Sequence, residues 1–314
     1  MIRIFYRQGD KILKDNDVKR LDLLTNIMWV DMQAPTSEEE EWIESKSKIS
    51  IQTPQEITEI ESSSRYFERN NEITANSNFL RLENGQYEKH AVSFIIKDSI
   101  LYTFRQADLS TFADVVRKMK ANSEMFNSGF DVLMSLQETR IDLEADLIER
   151  VSNEITVFSR TLSTDRNPNS EFLLDITDLQ ESTMMLRESM IDKQRVLSNL
   201  LKSSLFPEDR KIRLRIIIKD IQSLIEYSVF NFERLEFLQN TLTGLINLDQ
   251  NKVLKRFTVF SIAFLPPTLI SGMFGMNFTN IPGANQPFGF FLCILAMILS
   301  SGAVMLTFKK KGWI

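Results

Sequence analysis

The pattern of apolar and polar positions changes character three times along the chain. Up to about residue 125, short apolar runs alternate with polar clusters. Ile2–Arg7, Ile27–Met32, Phe79–Leu82, Ala91–Ile96 and Ile100–Phe104 read as strands. Lys97-Asp98-Ser99, between the last two, reads as a hairpin turn without a glycine to specify its type. Ser37, followed by Glu38 to Glu41, predicts a helix capped by Ser37 with acids in its first turn. Phe112–Lys120 has helical character as well.

From about Phe130 a helical period takes over. Val132, Leu136, Ile141, Leu143, Leu147, Ile148, Val151, Ile155 and Phe158 fit one long amphipathic helix. Thr164 to Asn169, with Pro168, breaks it, and a second helix is expected from about Ser170 to Leu205. Phe206-Pro207-Glu208-Asp209 breaks that one. A third starts near Glu208 and meets no strong breaker before Pro266, since Gly244 costs only about 1 kcal/mol in a helix. Such a helix is roughly 60 residues and about 90 Å long. It exceeds any bilayer, so it must begin in water and end in lipid. The simplest reading of most of these positions is the core of a bundle or coiled coil.

The third change is the most informative. From Phe257 to Phe308 there is no charged residue. A membrane-spanning helix needs about 20 apolar residues, so the run has room for two spans and a turn. The expected division is an α/β domain over 1–125, long antiparallel helices over 126–207 and the water-exposed part of a stalk helix over 208–252. Spans follow over 253–276 and 288–308, joined by a loop over 277–287 that is rich in Pro, Gly and Asn, with a basic tail over 309–314. Lys252, Lys255 and Arg256 precede the first span, and Lys309, Lys310 and Lys311 follow the second. The positive-inside rule then places both termini in the cytoplasm and the loop outside. Trp313 fits an interfacial anchor.

The first span is not uniformly apolar. At 100° per residue, Leu254, Phe257, Ser261, Leu265, Thr268 and Gly272 share one narrow stripe. Small and polar residues there suit a helix–helix contact. The less expected alternative is a pore lining, with small polar positions holding hydrated ions and apolar rings gating by dewetting. Pro266-Pro267 is expected to kink the helix and free nearby carbonyls. Two spans cannot enclose a pore, so a pore reading requires a symmetric oligomer.

Composition narrows the classes. With 314 residues and a formal charge of −5, the chain has no basic stripe for nucleic acid. His90 and Cys293 are the only residues of their kinds, which excludes a multi-imidazole centre and an intrachain disulfide. Met1–Arg7 is too short an apolar stretch for a signal peptide. No phosphate-binding glycine loop or nucleophile–base pair points to an enzyme or an organic cofactor. Asp142, Glu144, Asp146, Glu149 and Glu154 read either as a solubilising face or as an acidic surface answering the basic cluster before the first span.

Gly275-Met276-Asn277, followed by Phe278, stands at the end of the penultimate span. With Asn251, Lys255, Pro266, Thr268 and the terminal Lys309-Lys310-Lys311-Gly312-Trp313, this segment resembles the CorA family of divalent-cation channels. The strong match covers about 60 residues; upstream, only the order of elements is similar. The resemblance implies an α+β cytoplasmic domain, a helical stalk and two C-terminal transmembrane helices, assembled as a homopentamer in the bacterial inner membrane. It implies that Gly275, Met276 and Asn277 form the entrance filter. Asn277, Thr268 and Asn251 would supply polar rings, and Leu265, Phe257 and Leu254 apolar constrictions. It implies Mg²⁺ as transported and regulatory cation, with Co²⁺ or Ni²⁺ carried by some members. Asp220 is the nearest candidate for a regulatory ligand. One departure is the loop from Thr279 to Pro287, which holds no acid where many members carry one. The rivals are a zinc transporter of the related family, whose middle tripeptide residue usually differs from Met276, and a membrane-anchored scaffold or sensor.

Overall fold

The computed structural model describes residues 1–58, 65–83, 86–164, 171–276, 282 and 286–313. The chain divides into two compact units, Met1–Asp165 with Leu173–Leu238, and Arg166–Phe172 with Gln239–Ile314.

The first unit contains a seven-stranded sheet. Its strands are β1 (Ile2–Gln8), β2 (Lys11–Asp15), β3 (Ile27–Gln33), β4 (Tyr66–Arg69), β5 (Glu72–Glu83), β6 (Gln86–Lys97) and β7 (Ile100–Arg105). Their order is β2-β1-β3-β7-β6-β5-β4, antiparallel except where β3 runs parallel to β7. Alternation sends Val30 and Met32 of β3 to one face, where they pack with Ile43 of α1 (Ser37–Ser47) and Ile57 of α2 (Pro54–Thr58). Trp29 points to the other face. It stacks on Phe5 at 4.8 Å and meets Phe112 of α3 (Ser110–Ala121) at 5.9 Å.

Charge on that second face is paired. Arg105 and Asp31 are both fully buried and share two hydrogen bonds of 3.2 Å. Trp29 Nε1 donates to Thr103 Oγ1, and Thr103 Oγ1 donates to Asp31 Oδ1, each at 2.9 Å.

Three expectations are corrected. The helix cap is Thr36, not Ser37: Glu39 N donates to Thr36 Oγ1, and Thr36 N donates back to the Glu39 carboxylate. β5 is 12 residues long, because its polar first half is buried as part of the sheet: Thr74, Asn76 and Ser77 are fully covered. β2 and β4, absent from the sequence reading, are short charged strands at the two edges of the sheet, where charge discourages pairing with other chains.

The β6–β7 turn forms at Asp98 (φ 50°) and Ser99 (φ 64°), both left-handed. The segment before the first long helix closes on it. Gly129 N donates to Ser99 O at 2.6 Å, and a Cβ on Gly129 would stand 2.2 Å from Leu101 N. Only glycine fits that approach.

Three long helices follow: α4 (Gly129–Thr164), α5 (Glu171–Lys202) and α6 (Glu208–Phe274). The expected breaker between α4 and α5 lies outside the described residues. Asp131 ties the start of α4 to the start of α6. Its carboxylate accepts from Asn127 N and Ser128 N at 2.9 Å and from Arg210 Nε and Nη2 at 2.7 and 3.0 Å. Burial pushes this carboxyl up, but Arg210 and the backbone N–H groups outweigh it and hold it below the usual range. A depressed native pKa gives stability that is present above the unfolded value near 4 and lost as pH falls through the native value. We expect Asp131→Asn to lower unfolding stability by about 1.5–3 kcal/mol at neutral pH, with the gap to wild type narrowing on acidification. Denaturant titrations at stepped pH check it; a gap that widens toward acid would refute the sign.

Glu144 is not on a solvated face. It is fully buried, and Oε1 accepts from Arg140 Nε at 2.8 Å, Lys193 Nζ at 2.8 Å and Ser189 Oγ at 2.9 Å. Lys193 Nζ also reaches Asn78 O at 2.8 Å, so the cluster joins α4, α5 and β5. Burial pushes Glu144 up, yet Lys193 and Arg140 together hold it below the carboxylate range. Burial keeps Lys193 below its own ordinary value in spite of Glu144. The asymmetry has a cause: Glu144 meets two cations, whereas for Lys193 the carboxylates of Glu144 and Asp192 are opposed by burial and by the like charge of Arg140. The other acids of the row, Asp142, Asp146, Glu149 and Glu154, are exposed.

The second unit carries the rest of α6 and α7 (Gly289–Lys310). α6 is one continuous helix of 67 residues that passes through Pro266 and Pro267 and stops at Phe274.

Candidate functional site

The apolar parts of α6 and α7 are long enough to cross a membrane, and only 11% and 6% of their most apolar windows is buried. A core helix of a water-soluble protein would be covered. Here Ile262, Phe290, Leu299 and Leu306 stand open, as lipid-facing residues do. Pro266 and Pro267 lack the N–H groups that would bond to the carbonyls of Ile262 and Ala263. In a bilayer a carbonyl so freed must face protein or water; Ala263 is buried and Ile262 exposed.

α6 has two distinct sides here. Val259 and Ala263 are buried, and Val259 shares a cleft with Met305 of α7 and with Trp313 beyond it. Two residues on, about 200° round the helix, Ser261 and Leu265 are exposed. Asn251, Leu254, Phe257, Thr268, Gly272 and Met276 are exposed too. A shallow groove of about 620 Å³ runs over Ser261, Leu265, Thr268, Gly272 and Met276, flanked by the apolar Phe264, Leu269 and Met273. The stripe read from the sequence is thus a free face, turned away from the helix's buried side.

Its hydroxyls are oriented. Ser261 Oγ donates to Phe257 O at 3.0 Å, and Thr268 Oγ1 donates to Phe264 O at 2.8 Å. With their protons committed inward, both oxygens present only lone pairs outward. The groove offers acceptors and no cation among its lining residues.

α6 ends where Gly275 N donates to Ser271 O at 2.9 Å. Met276 is half exposed. Asn277 lies outside the described residues, as do most positions of the loop after it. Asp220 is exposed on α6 and forms no ion pair among the described residues, nor does it belong to a cluster of three or more metal-capable side chains among them.

One metal-capable cluster was not anticipated. Ligand atoms of Glu83, Glu88 and His90 lie within 4.8 Å of one another on β5 and β6. The signal was present in the pairing parity of the hairpin, which puts positions 83, 88 and 90 on one face. Glu83 is already committed, however: His90 Nε2 lies 3.0 Å and Arg81 Nε 3.4 Å from its Oε1.

A mixed sheet with long helices in one unit, and two apolar helices bearing an outward polar stripe in the other, define a two-span membrane transport protein. The chain belongs to the CorA-like Mg2+ transporter family, whose sequence profile matches residues 25–310. The Magnesium transport protein CorA of Campylobacter jejuni is 35% identical over 304 residues, covering 93% of each chain. That of Escherichia coli K12 is 31% identical over 313 residues, covering 96% of this chain and 98% of its own. In fold, the complete CorA magnesium transporter of Methanocaldococcus jannaschii matches with a TM-score of 0.84 at 19% identity, over 100% of this chain and 99% of that one. The ZntB cytoplasmic domain of Vibrio parahaemolyticus matches less well, at 0.59 and 14% identity, over 79% of this chain and 98% of its own.

Proposed function

We propose that this chain is the subunit of a Mg²⁺ channel that carries the ion inward down its electrochemical gradient, as a homopentamer of the bacterial inner membrane with both termini cytoplasmic. The observation that carries the reading is the free face of α6. A monomer would leave Ser261 and Thr268 against lipid; a ring of such helices turns them onto a shared axis. Gly275, Met276 and Asn277 form the outer filter. Thr268 and Asn251 are polar rings below it, and Leu265, Phe257 and Leu254 are the apolar constrictions.

The chemistry fits the cargo. Mg²⁺ dehydrates reluctantly and travels with much of its water. The protons of that water need acceptors, which amide and hydroxyl oxygens supply without stripping the ion. No nucleotide is needed: moving two charges through 100 mV is worth about 4.6 kcal/mol. Gating is negative feedback. Cytoplasmic Mg²⁺ bridges acids of neighbouring subunits, with Asp220 as one ligand, and its loss lets like charges part. The acid-free loop gathers cations weakly, through Asn280, Asn285 and Gln286.

Uptake into proteoliposomes, comparing Mg²⁺, Co²⁺, Ni²⁺ and Zn²⁺, tests the assignment. Zinc uptake that follows an imposed proton gradient, without magnesium flux, would overturn it. Thr268→Val keeps the side-chain shape and removes the acceptor. We expect it to slow Mg²⁺ uptake about tenfold, the worth of one lost ring contact of about 1.4 kcal/mol, at unchanged oligomer size. Unaltered flux would remove Thr268 from the conduction path.

A further inference from the structure

At the foot of the two apolar helices lies a cleft of about 370 Å³. All of its lining belongs to the second unit. Lys252, Lys255 and Arg256 form its cationic wall; Phe260, Met305 and Trp313 form its apolar wall. Lys255 is held in place. Its Nζ donates to Gly312 O at 3.0 Å and sits 5.6 Å from the centre of the Trp313 ring. Trp313 in turn packs on Phe308 at 5.5 Å.

Lys252 and Arg256 are different. They are exposed, and neither joins an ion pair among the described residues. They stand four residues apart on one helix, where like charges repel. The fold therefore gathers three cations around one cleft without an anion among its lining residues, an arrangement that a bound anion relieves.

We propose that this cleft binds the phosphate of an anionic phospholipid, with Lys252 and Arg256 on the phosphate and the start of the acyl chain along Phe260 and Met305. Two features select a lipid over free phosphate. The cleft straddles the level where charge ends and the uncharged run from Phe257 begins, with a tryptophan at the same level, which is where headgroups lie. Its lining also includes the apolar Val259, Phe260 and Met305, which an inorganic ion cannot use but an amphiphile can. Basic pockets between spans at this depth recognise anionic headgroups. The site does not depend on what the channel carries.

The test is native mass spectrometry of the full-length protein, released from detergent with equal amounts of phosphatidylglycerol and phosphatidylcholine. The wild type retains phosphatidylglycerol preferentially. Lys252→Gln and Arg256→Gln each cut that preference about fivefold, and the pair about 30-fold, at the wild-type oligomer mass. Lys252→Arg and Arg256→Lys retain it. A double glutamine variant that holds phosphatidylglycerol as the wild type does overturns the proposal, as does equal retention of phosphatidylcholine. Displacement by inorganic phosphate at equal concentration overturns the lipid assignment in favour of a free-ion site. A second measurement needs no charge change. In vesicles, brominated phosphatidylglycerol quenches the Trp313 component of fluorescence, the part lost in Trp313→Phe, more than brominated phosphatidylcholine does. Equal quenching counts against the site.

Discussion

Asn277→Ala slows Mg²⁺ uptake roughly 100-fold while the subunits still assemble. The expectation follows from what α6 delivers. Its free face runs to Met276, and the next side chain in the sequence is the amide. In the proposed ring, five such amides meet a hydrated ion at the outer rim. If half of the worth of five hydrogen bonds, at about 1 kcal/mol each, counts toward the barrier, their loss slows uptake roughly 100-fold. Asn277→Asp behaves differently. A carboxylate ring attracts the ion more strongly and releases it more slowly, so uptake falls most at high external Mg²⁺. Dye-loaded proteoliposomes read both variants, and size-exclusion chromatography shows whether the oligomer persists. Wild-type flux through Asn277→Ala would favour a tethered scaffold over a channel.

The second large effect lies in the soluble unit. Glu144→Ala leaves Arg140 and Lys193 buried without the carboxylate that both of them bind. Breaking a buried pair in this way costs about 3–5 kcal/mol, far more than an exposed one. Asp146→Ala, two residues on and exposed, is expected to change stability by less than about 0.5 kcal/mol. Replacing the whole cluster, Arg140→Met with Glu144→Leu and Lys193→Met, is expected to restore stability to about the wild-type level, since apolar residues of similar volume avoid the desolvation cost. Thermal unfolding of the full chain in detergent compares the three. Equal destabilisation by Glu144→Ala and Asp146→Ala would show that the cluster carries no special weight.

That cluster also shows where reading the sequence stops. Glu144 shares the helical stripe of Ile141, Ile148, Val151 and Ile155, but its charge reads with the acids around it, and its partner Lys193 is 49 residues away. Nothing local announces the pair. The same holds for β5, where Thr74, Asn76 and Ser77 look like loop yet are covered. The edge strands β2 and β4 are hidden by their own charges. The long helices were legible because nine apolar positions keep one period over α4. The stripe on α6 was legible because a run without charges makes each small or polar residue stand out. Its direction was not: only the burial of Val259 and Ala263 distinguishes the face that meets a neighbour within the chain from the face left free. Thr36 and Ser37 each precede a glutamate at capping distance, and only geometry chooses between them.

The outward turn of that α6 face has a genetic corollary. In the proposed ring each copy contributes one stave to a shared barrel, so a faulty copy would not be silent beside good ones. A strain expressing Asn277→Ala together with the normal protein would build mostly mixed assemblies and lose far more transport than its share of mutant message. Dominance of that kind separates a wall built from several copies from a machine complete in one.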